Sequence, residues 1–229
     1  GTIDGIISRE KEQVKLTDII DPNAANVEDW MGQVESGMKA TIRDVAYKAV
    51  LDYIKPDVTR GQWMQTWPGM LVLNCSQLWW TAEMEESIDK KGNEGVKDEL
   101  KKQIEQLAEM TVLVRGKLDG LARMSIGALT VIDVHARDVT QKMADDGVCT
   151  VEDFAWSSQL RYYWLKDGGE IGDPIEEAGN LQCQMVRARR PYGYEYLGNS
   201  FRLVITPLTD KCYLTLMGAL AMILGGAPA

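Results

Sequence analysis

The chain has 229 residues, of which 45% are hydrophobic and 26% charged, and its formal net charge is -9. This length and composition are typical of a globular protein that buries a core, in one large domain or two smaller ones. The acidic balance excludes broad nucleic-acid binding, because phosphate contacts need clustered Lys and Arg side chains.

The N-terminal stretch GTIDGIISREKEQVKL carries charges early and has no long apolar core, so we do not expect a signal peptide. The four cysteines, at positions 75, 149, 183 and 212, form no CxxC pair. This spacing favours reduced, partly buried thiols in a cytoplasmic compartment.

Apolar residues recur at three-and-four spacing after Asn26, which predicts a helix capped by Asn26 and ending at Lys55, before a proline. A second helix, MLVLNCSQLWWTAEMEESI, is predicted after the break at Pro68-Gly69. Three carboxylates are predicted on its exposed face: Glu83, Glu85 and Glu86. The tryptophans of this region are predicted to pack between helices, because aromatic side chains bury large areas: Trp63, Trp67, Trp79 and Trp80.

Residues 96–143 follow the polar turn KKGNEG and predict two further helices, with a break near 125–127. Thr150 is predicted to cap a last helix of this series, VEDFAWSSQLRYYWL, with Asp153 in the capping-box position. Residues 26–165 are therefore predicted to form a bundle or rod of antiparallel helices.

The pattern changes after the loop KDGGEIGDP. LQCQMVRARR, YGYEY and RLVIT are short, rich in β-branched or aromatic residues, and predict strands. Thr206 as a cap and Pro207 at the first helical position predict a final helix to Leu224. The predicted fold is mainly α: a helical part at 1–150, followed at 151–229 by the first strands and helix of an α/β unit.

No catalytic or metal-ligating residue is predicted. His135 is the one histidine, and without a paired Cys or His it is a poor metal ligand. A catalytic triad is unsupported because no GxSxG motif is present. The segment GYEYLGNS, at 193–200, resembles a phosphate loop but has Asn in place of Lys and bulky interior residues, so we reject it as a phosphate site.

The basic cluster RARRP contains Arg187, Arg189 and Arg190. Either it is a solvated strand face or it contacts an acidic neighbour. The run from Leu214 to Ala229 has no charged residue. It is shorter than the ~20 residues that a membrane span needs. We therefore predict a buried helix followed by a Gly/Pro loop, and no membrane anchor.

Six stretches follow one another between 27 and 229: VEDWMGQVESGMKATIRD, WPGMLVLNCSQLWWTAEMEESI, LTVIDVHARDV, FAWSSQLRYYW, YGYEYLGNSFRLVITPLTDKCYLTLMGAL and LGGAPA. They closely resemble dynein heavy chains and stand in the family's order, and the resemblance runs almost without interruption from 27 to 229. The sequences VIDVHARDV and YGYEYLGNSFRLVITPLTD resemble the axonemal branch of the family.

The resemblance implies that residues 1–150 are the C-terminal part of the dynein linker, and that 151–229 are the N-terminal portion of the first AAA+ ATPase module. In the family, LGGAPA is followed at once by the phosphate loop GPAGTGKT. A chain ending at Ala229 is therefore expected to lack the Walker A and Walker B residues and not to hydrolyse ATP alone.

The resemblance also implies ATP or ADP with Mg²⁺ as the cofactor of the parent motor, with the phosphate and Mg²⁺ ligands outside this chain. In the family, the loop VITPLTD borders the adenine. The positions here are Val204, Ile205, Thr206, Pro207, Leu208 and Thr209. Apolar side chains can enclose a flat base; the alternative is that these residues only cap and pack the helix.

By the same resemblance, the parent is an ATP-driven, minus-end-directed microtubule motor of the axoneme of cilia and flagella, in the cytoplasm and cytoskeleton. Its expected partners are the rest of the motor ring, dynein intermediate and light chains, and microtubules. The segment would couple nucleotide state in the first module to linker movement. The alternative is a non-enzymatic helical scaffold, which predicts a folded monomer with no exposed apolar surface at its C-terminus.

Overall fold

The computed structural model describes residues 1–199 and 204–226, which divide into two compact units. The first unit contains residues 1–75, 118–128 and 193–199, and the second contains 76–117, 129–192 and 204–226. The described strands are β1 (Ile3–Ile7), β2 (Gln13–Ile20), β3 (Arg161–Leu165), β4 (Asn180–Met185) and β5 (Ala188–Pro191). The described helices are α1 (Val27–Tyr53), α2 (Arg60–Thr66), α3 (Gly69–Lys91), α4 (Asn93–Arg115), α5 (Gly120–Asp145), α6 (Phe154–Ser157) and α7 (Pro207–Ala221).

The first unit begins with an antiparallel hairpin of β1 and β2 that the sequence analysis did not predict. Alternate residues of β2 are buried, among them Val14 and Leu16, and this strand packs against α1. The Thr17 amide donates a hydrogen bond to Thr41 Oγ1 of α1 at 3.0 Å. The hairpin therefore contributes one face of the first unit's core.

Helix α1 confirms the predicted helix, but Asn26 occupies its N-cap without a capping hydrogen bond from its side chain. The short segment after α1 forms α2. Trp63 of α2 is fully buried, as predicted, and its indole N–H donates to the Ala49 carbonyl at 2.8 Å. This bond satisfies the indole's only polar group inside the core.

The core of the second unit lies where α3, α4 and the end of α5 meet α6. Its buried residues are Met84, Ile88, Val96, Met143, Ala144, Val148 and Trp156. A single residue, Gly92, separates α3 from α4, and its φ of 57° lies in the left-handed region that favours glycine. The Asn93 side-chain amide lies within hydrogen-bonding distance of the carbonyl oxygens of Met143, Ala144 and Val148, at 3.2–3.4 Å.

The predicted break in the long helical region is wrong by several residues. Helix α4 ends at Arg115 with Gly116 as its cap, and α5 begins at Gly120. The Asp119 carboxylate accepts a hydrogen bond from the Ala122 amide at 2.7 Å, which satisfies a free donor of the first turn. Gly127 lies inside α5, where a single glycine costs about 1 kcal/mol relative to alanine without ending the helix.

The predicted helix over 151–165 is also wrong except for the single turn at 154–157, whose N-cap is Asp153 and not Thr150. α6 stops at Ser157, and residues 161–165 form β3, which pairs antiparallel with β4 from Arg161↔Gln184 to Leu165↔Asn180. The single strand predicted over LQCQMVRARR is instead two, because β4 and β5 pair antiparallel as a hairpin that turns at Val186 and Arg187. The aromatic residues of RYYWL suit a strand, and the partner that decides between strand and helix lies about twenty residues further along the chain.

The other two predicted strands are not observed as strands. The segment YGYEY, at 192–196, is described without strand structure. Residues 202–203 of RLVIT lie outside the described residues, and 204–206 have no strand structure.

Glu85 was predicted to be exposed but is the centre of a buried polar network in the second unit. Its Oε1 accepts hydrogen bonds from Tyr163 Oη at 2.6 Å and Trp156 Nε1 at 3.1 Å, and lies 3.5 Å from Arg161 Nη1. Arg161 is only 5% exposed. Burial and the adjacent Glu85 charge raise the pKa of Tyr163 above its usual range, which keeps its hydroxyl a donor.

The final helix is confirmed as α7, but the prediction that it is buried is wrong. It packs against β4 and β5, and none of its residues is buried. The small sheet covers only one side of the helix, which leaves several large apolar side chains exposed: Leu208, Tyr213, Leu216 and Leu220, followed by Met222, Ile223 and Leu224. Among the described helices, none is both long and apolar enough to cross a membrane.

Candidate functional site

The start of α7 is held by reciprocal hydrogen bonds between two threonines. The Thr209 amide donates to Thr206 Oγ1 at 3.4 Å, and the Thr206 amide donates to Thr209 Oγ1 at 3.3 Å. Pro207 occupies the first turn, where its missing N–H costs no hydrogen bond. The cap predicted from the sequence is thus observed, and it fixes the backbone of the loop that leads into α7.

The loop presents apolar side chains to solvent. Val204 is 72% exposed and Leu208 is 70% exposed, while Thr206 and Pro207 are also exposed. Ile205 and Thr209 are partly buried. Apolar groups carried by a rigid backbone can cover a flat aromatic ring, because covering them removes apolar surface from water on both sides of the contact.

Ile205 lines a cavity of about 290 Å³ in the second unit. The other lining residues are Gln77, Trp80, Ile132, His135, Gln159, Leu160, Tyr162, Asp210 and Tyr213. This volume lies at the lower limit of ligand pockets, which range from about 300 to 1,000 Å³. The structure therefore separates the predicted residues, with Ile205 turned to the cavity and Val204 and Leu208 turned to solvent.

His135 and Asp210 form the one ion-pair contact among the described residues that line this cavity. His135 Nε2 lies 3.4 Å from Asp210 Oδ1, and the two side chains are only 18% and 28% exposed. Burial raises the pKa of the Asp210 carboxyl above its usual range, and the charge of His135 opposes that rise. Sequence analysis assigned His135 no partner, because Asp210 lies far along the chain.

A second cavity, of about 300 Å³, lies along α7 between the helix and the residues that follow it. Its lining residues are Lys211, Cys212, Thr215, Leu216, Ala219, Gly225 and Gly226. A Cβ added to Gly226 would lie 2.3 Å from Leu216 Cδ2, so the chain passes close to the end of the Leu216 side chain here. Within the described residues, no three His, Cys, Asp or Glu side chains gather as a metal site.

Comparison with known proteins identifies this region. Residues 192–229 match the protein family described as the hydrolytic ATP binding site of the dynein motor region. Over almost its whole length, the chain is 47% identical to dynein axonemal heavy chain 3 of Homo sapiens, covering 98% of this chain and 5% of the relative. It is 47% identical to dynein axonemal heavy chain 1 of Mus musculus, covering 97% of this chain and 5% of the relative.

The chain belongs to the axonemal dynein heavy chain family. Dynein axonemal heavy chain 12 of Rattus norvegicus is 46% identical over 99% of this chain and 7% of its own length. The chain thus spans about 5–7% of the length of these dynein relatives. The resemblance noted in the sequence is confirmed, and a self-contained scaffold protein is not favoured.

In this dynein segment, the matched region contains the described parts of the loop at 204–206, all of α7 and its second cavity. The family's description indicates ATP binding in the parent protein. The exposed apolar side chains of the loop suit the base of a nucleotide. Among the described residues that line the cavity beside Ile205, none is Lys or Arg.

Proposed function

We propose that this segment acts within an ATP-driven, minus-end-directed microtubule motor of cilia and flagella. Support comes from the axonemal dynein relatives along the whole chain and the ATP-binding family match at 192–229. The parent would reside on the axonemal cytoskeleton, with intermediate and light chains and microtubules as partners. Reading the parent sequence past Ala229 tests this: a GxxxxGK[ST] motif is expected within about ten residues, and its absence would contradict the proposal.

Within the motor, residues 1–150 are the C-terminal part of the linker and 151–229 begin the first AAA+ module. The segment's role is mechanical: nucleotide state in the module biases the position of the linker. A ligand can do this only by contacting two conformations differently. Mg²⁺ accompanies the nucleotide, and its ligands and those of the phosphates lie outside this chain.

The loop at 204–209 is the part of the segment that contacts the adenine. The observation that carries this assignment is the exposure of Val204 and Leu208 on a capped backbone inside the region matched to an ATP-binding site. Ile205 supports the loop from the cavity side. Thr206, Pro207 and Thr209 hold its backbone in place, so that base contact does not require the loop to become ordered first.

The test is Leu208→Asp in the parent heavy chain, followed by titration with a fluorescent mant-ATP. A carboxylate against the base must lose its water, so affinity at the first module should fall by about tenfold, or about 1.4 kcal/mol. Val112→Asp is the matched control, because Val112 of α4 is 71% exposed and lies outside the loop. Unchanged affinity in Leu208→Asp would rule out the adenine role.

A further inference from the structure

The loop before α7 has two sides that differ in their surroundings. Val204 and Leu208 are exposed, whereas Ile205 and Asp210 line the 290 Å³ cavity. The exposed side can contact a ligand, but it is the cavity side that determines where the loop lies. The residues facing Ile205 and Asp210 therefore control the position of the exposed pair.

Helix α5 supplies two of those facing residues. Ile132 and His135 are three residues apart, so they lie on the same face of the helix, and both line the cavity. Ile132 contributes to the apolar wall, and His135 lies 3.4 Å from the Asp210 carboxylate. Among the described lining residues, Asp210 is the acidic side chain and His135 the basic one.

We propose that His135 is a positioning residue for nucleotide binding, because it holds the adenine-contacting loop in place through Asp210. The inference rests on the proposed function of that loop. The pair is well placed for this role: both side chains are largely shielded from water, where a charge interaction is stronger than on an open surface. Asp210 follows Thr209 directly, so a shift of its carboxylate moves the cap and with it Leu208.

The contact also joins the two parts of the proposed motor segment. His135 lies in 1–150, the proposed linker part, and Asp210 lies in 151–229, the proposed start of the ATPase module. If His135 favours the binding-competent loop, nucleotide binding must favour the same His135 contact by an equal factor, because coupling between two sites is reciprocal. Through this pair, nucleotide binding at the loop is coupled directly to the position of His135 on α5.

A double-mutant cycle in the parent heavy chain tests the proposal, with ADP affinity at the first module as the readout. His135→Ala and Asp210→Ala should each weaken binding, on the order of fivefold. The double variant should be no weaker than either single one, because both remove the same contact. The exchanged pair, His135→Asp with Asp210→His, should recover affinity, which a merely structural role of either side chain would not produce.

Asp138→Ala is the matched control, because Asp138 lies on α5, is exposed and pairs with the adjacent Arg137. It should leave ADP affinity unchanged. Fully additive losses, or no loss in His135→Ala while Leu208→Asp still weakens binding, would overturn the role of His135 and leave the adenine loop standing. If Leu208→Asp also has no effect, the loop assignment itself fails.

Discussion

The network around Glu85 and the surface of α7 lie in the same unit, yet the first buries polar side chains and the second exposes apolar ones. Glu85 lies among Arg161, Tyr163 and Trp156. Each of these side chains contacts the Glu85 carboxylate, which would otherwise be buried without a partner. α7 carries large apolar side chains and buries none of its residues. In the first region most buried polar groups find partners within the described chain, with Arg161 Nε as an exception, whereas the second offers apolar area to water.

The difference concerns what each region depends on. A buried charge with its partners in place depends on every one of those partners, because the loss of one leaves the others in a medium of low dielectric. An exposed apolar helix depends on a surface that covers it, and contiguous apolar patches on proteins commonly mark such contacts. A helix of this kind suits a segment of a larger motor better than a free-standing scaffold.

The largest effect is expected from Glu85→Ala. Removing the carboxylate leaves the Arg161 guanidinium buried without its counter-charge, so the free energy of unfolding should fall by about 3–5 kcal/mol. Urea denaturation of the chain followed by tryptophan fluorescence measures this. Glu86→Ala is the control: Glu86 lies on the exposed side of α3 and pairs with the exposed Lys90 one turn away, so it should change stability little. Equal losses in both would show that the network does not stabilise the unit.

An effect of intermediate size is expected from Leu220→Lys combined with Ile223→Lys, and it concerns self-association of the chain instead of its stability. These exposed side chains should drive self-association of the isolated chain, and lysines should reduce it while the free energy of unfolding changes by less than about 0.5 kcal/mol. Light scattering over a concentration series measures the association. Val112→Lys, on exposed α4, should leave association unchanged. A wild-type chain that is monodisperse and fully folded would favour the scaffold alternative.

The smallest effect concerns thiol reactivity at Cys183 of β4 and Cys212 of α7. Burial raises the pKa of Cys183 to about 11, with a hydrogen bond from Tyr162 acting against the rise, whereas Cys212 is exposed. At pH 8 about one in a thousand Cys183 side chains is thiolate, so Cys212 should react with DTNB long before Cys183. Cys149 is exposed as well, so the fast phase should shrink in Cys212→Ser and disappear only when Cys149→Ser is added. A fast phase that survives in Cys149→Ser with Cys212→Ser would contradict the assignment.

The raised pKa of Cys183 also makes the free energy of unfolding depend on pH. The folded chain holds the Cys183 proton more tightly than the unfolded chain, whose thiol titrates near pH 8.5. Its contribution is therefore complete below about pH 8.5 and is lost as the pH rises toward 11. A fall in the urea midpoint over that interval should be smaller in Cys183→Ser.

Much of the helical framework could be predicted from local pattern, because amphipathic spacing and caps are local. The Thr206 cap of α7 and the helices α1 and α3 are cases of this. The strand β3 could not be predicted in this way. RYYWL suits a helix as well as a strand, and the partner strand β4 lies beyond a long loop. The network of Glu85 was missed for the same reason: its partners come from residues 71–78 positions away.

The candidate site also has one part that the sequence predicted and another that only the structure shows. The loop at 204–209 was predicted from the resemblance, and its cap from the sequence pattern. The pairing of His135 with Asp210, by contrast, joins residues 75 positions apart that share no local signal. A single histidine without a ligand motif gave no indication of such a partner. Side chains that act through distant contacts become visible only once the chain has folded.

The joint between α3 and α4 has a mechanical consequence. A lone glycine such as Gly92, free to change its φ and ψ, would ordinarily behave as a hinge. Here the side-chain amide of Asn93 lies within hydrogen-bonding distance of the carbonyl oxygens of Met143 and Ala144 at the end of α5, and of Val148 just after it. These contacts tie the first residue of α4 to the end of α5, so a displacement of that end of α5 is passed directly to the start of α4, next to Gly92.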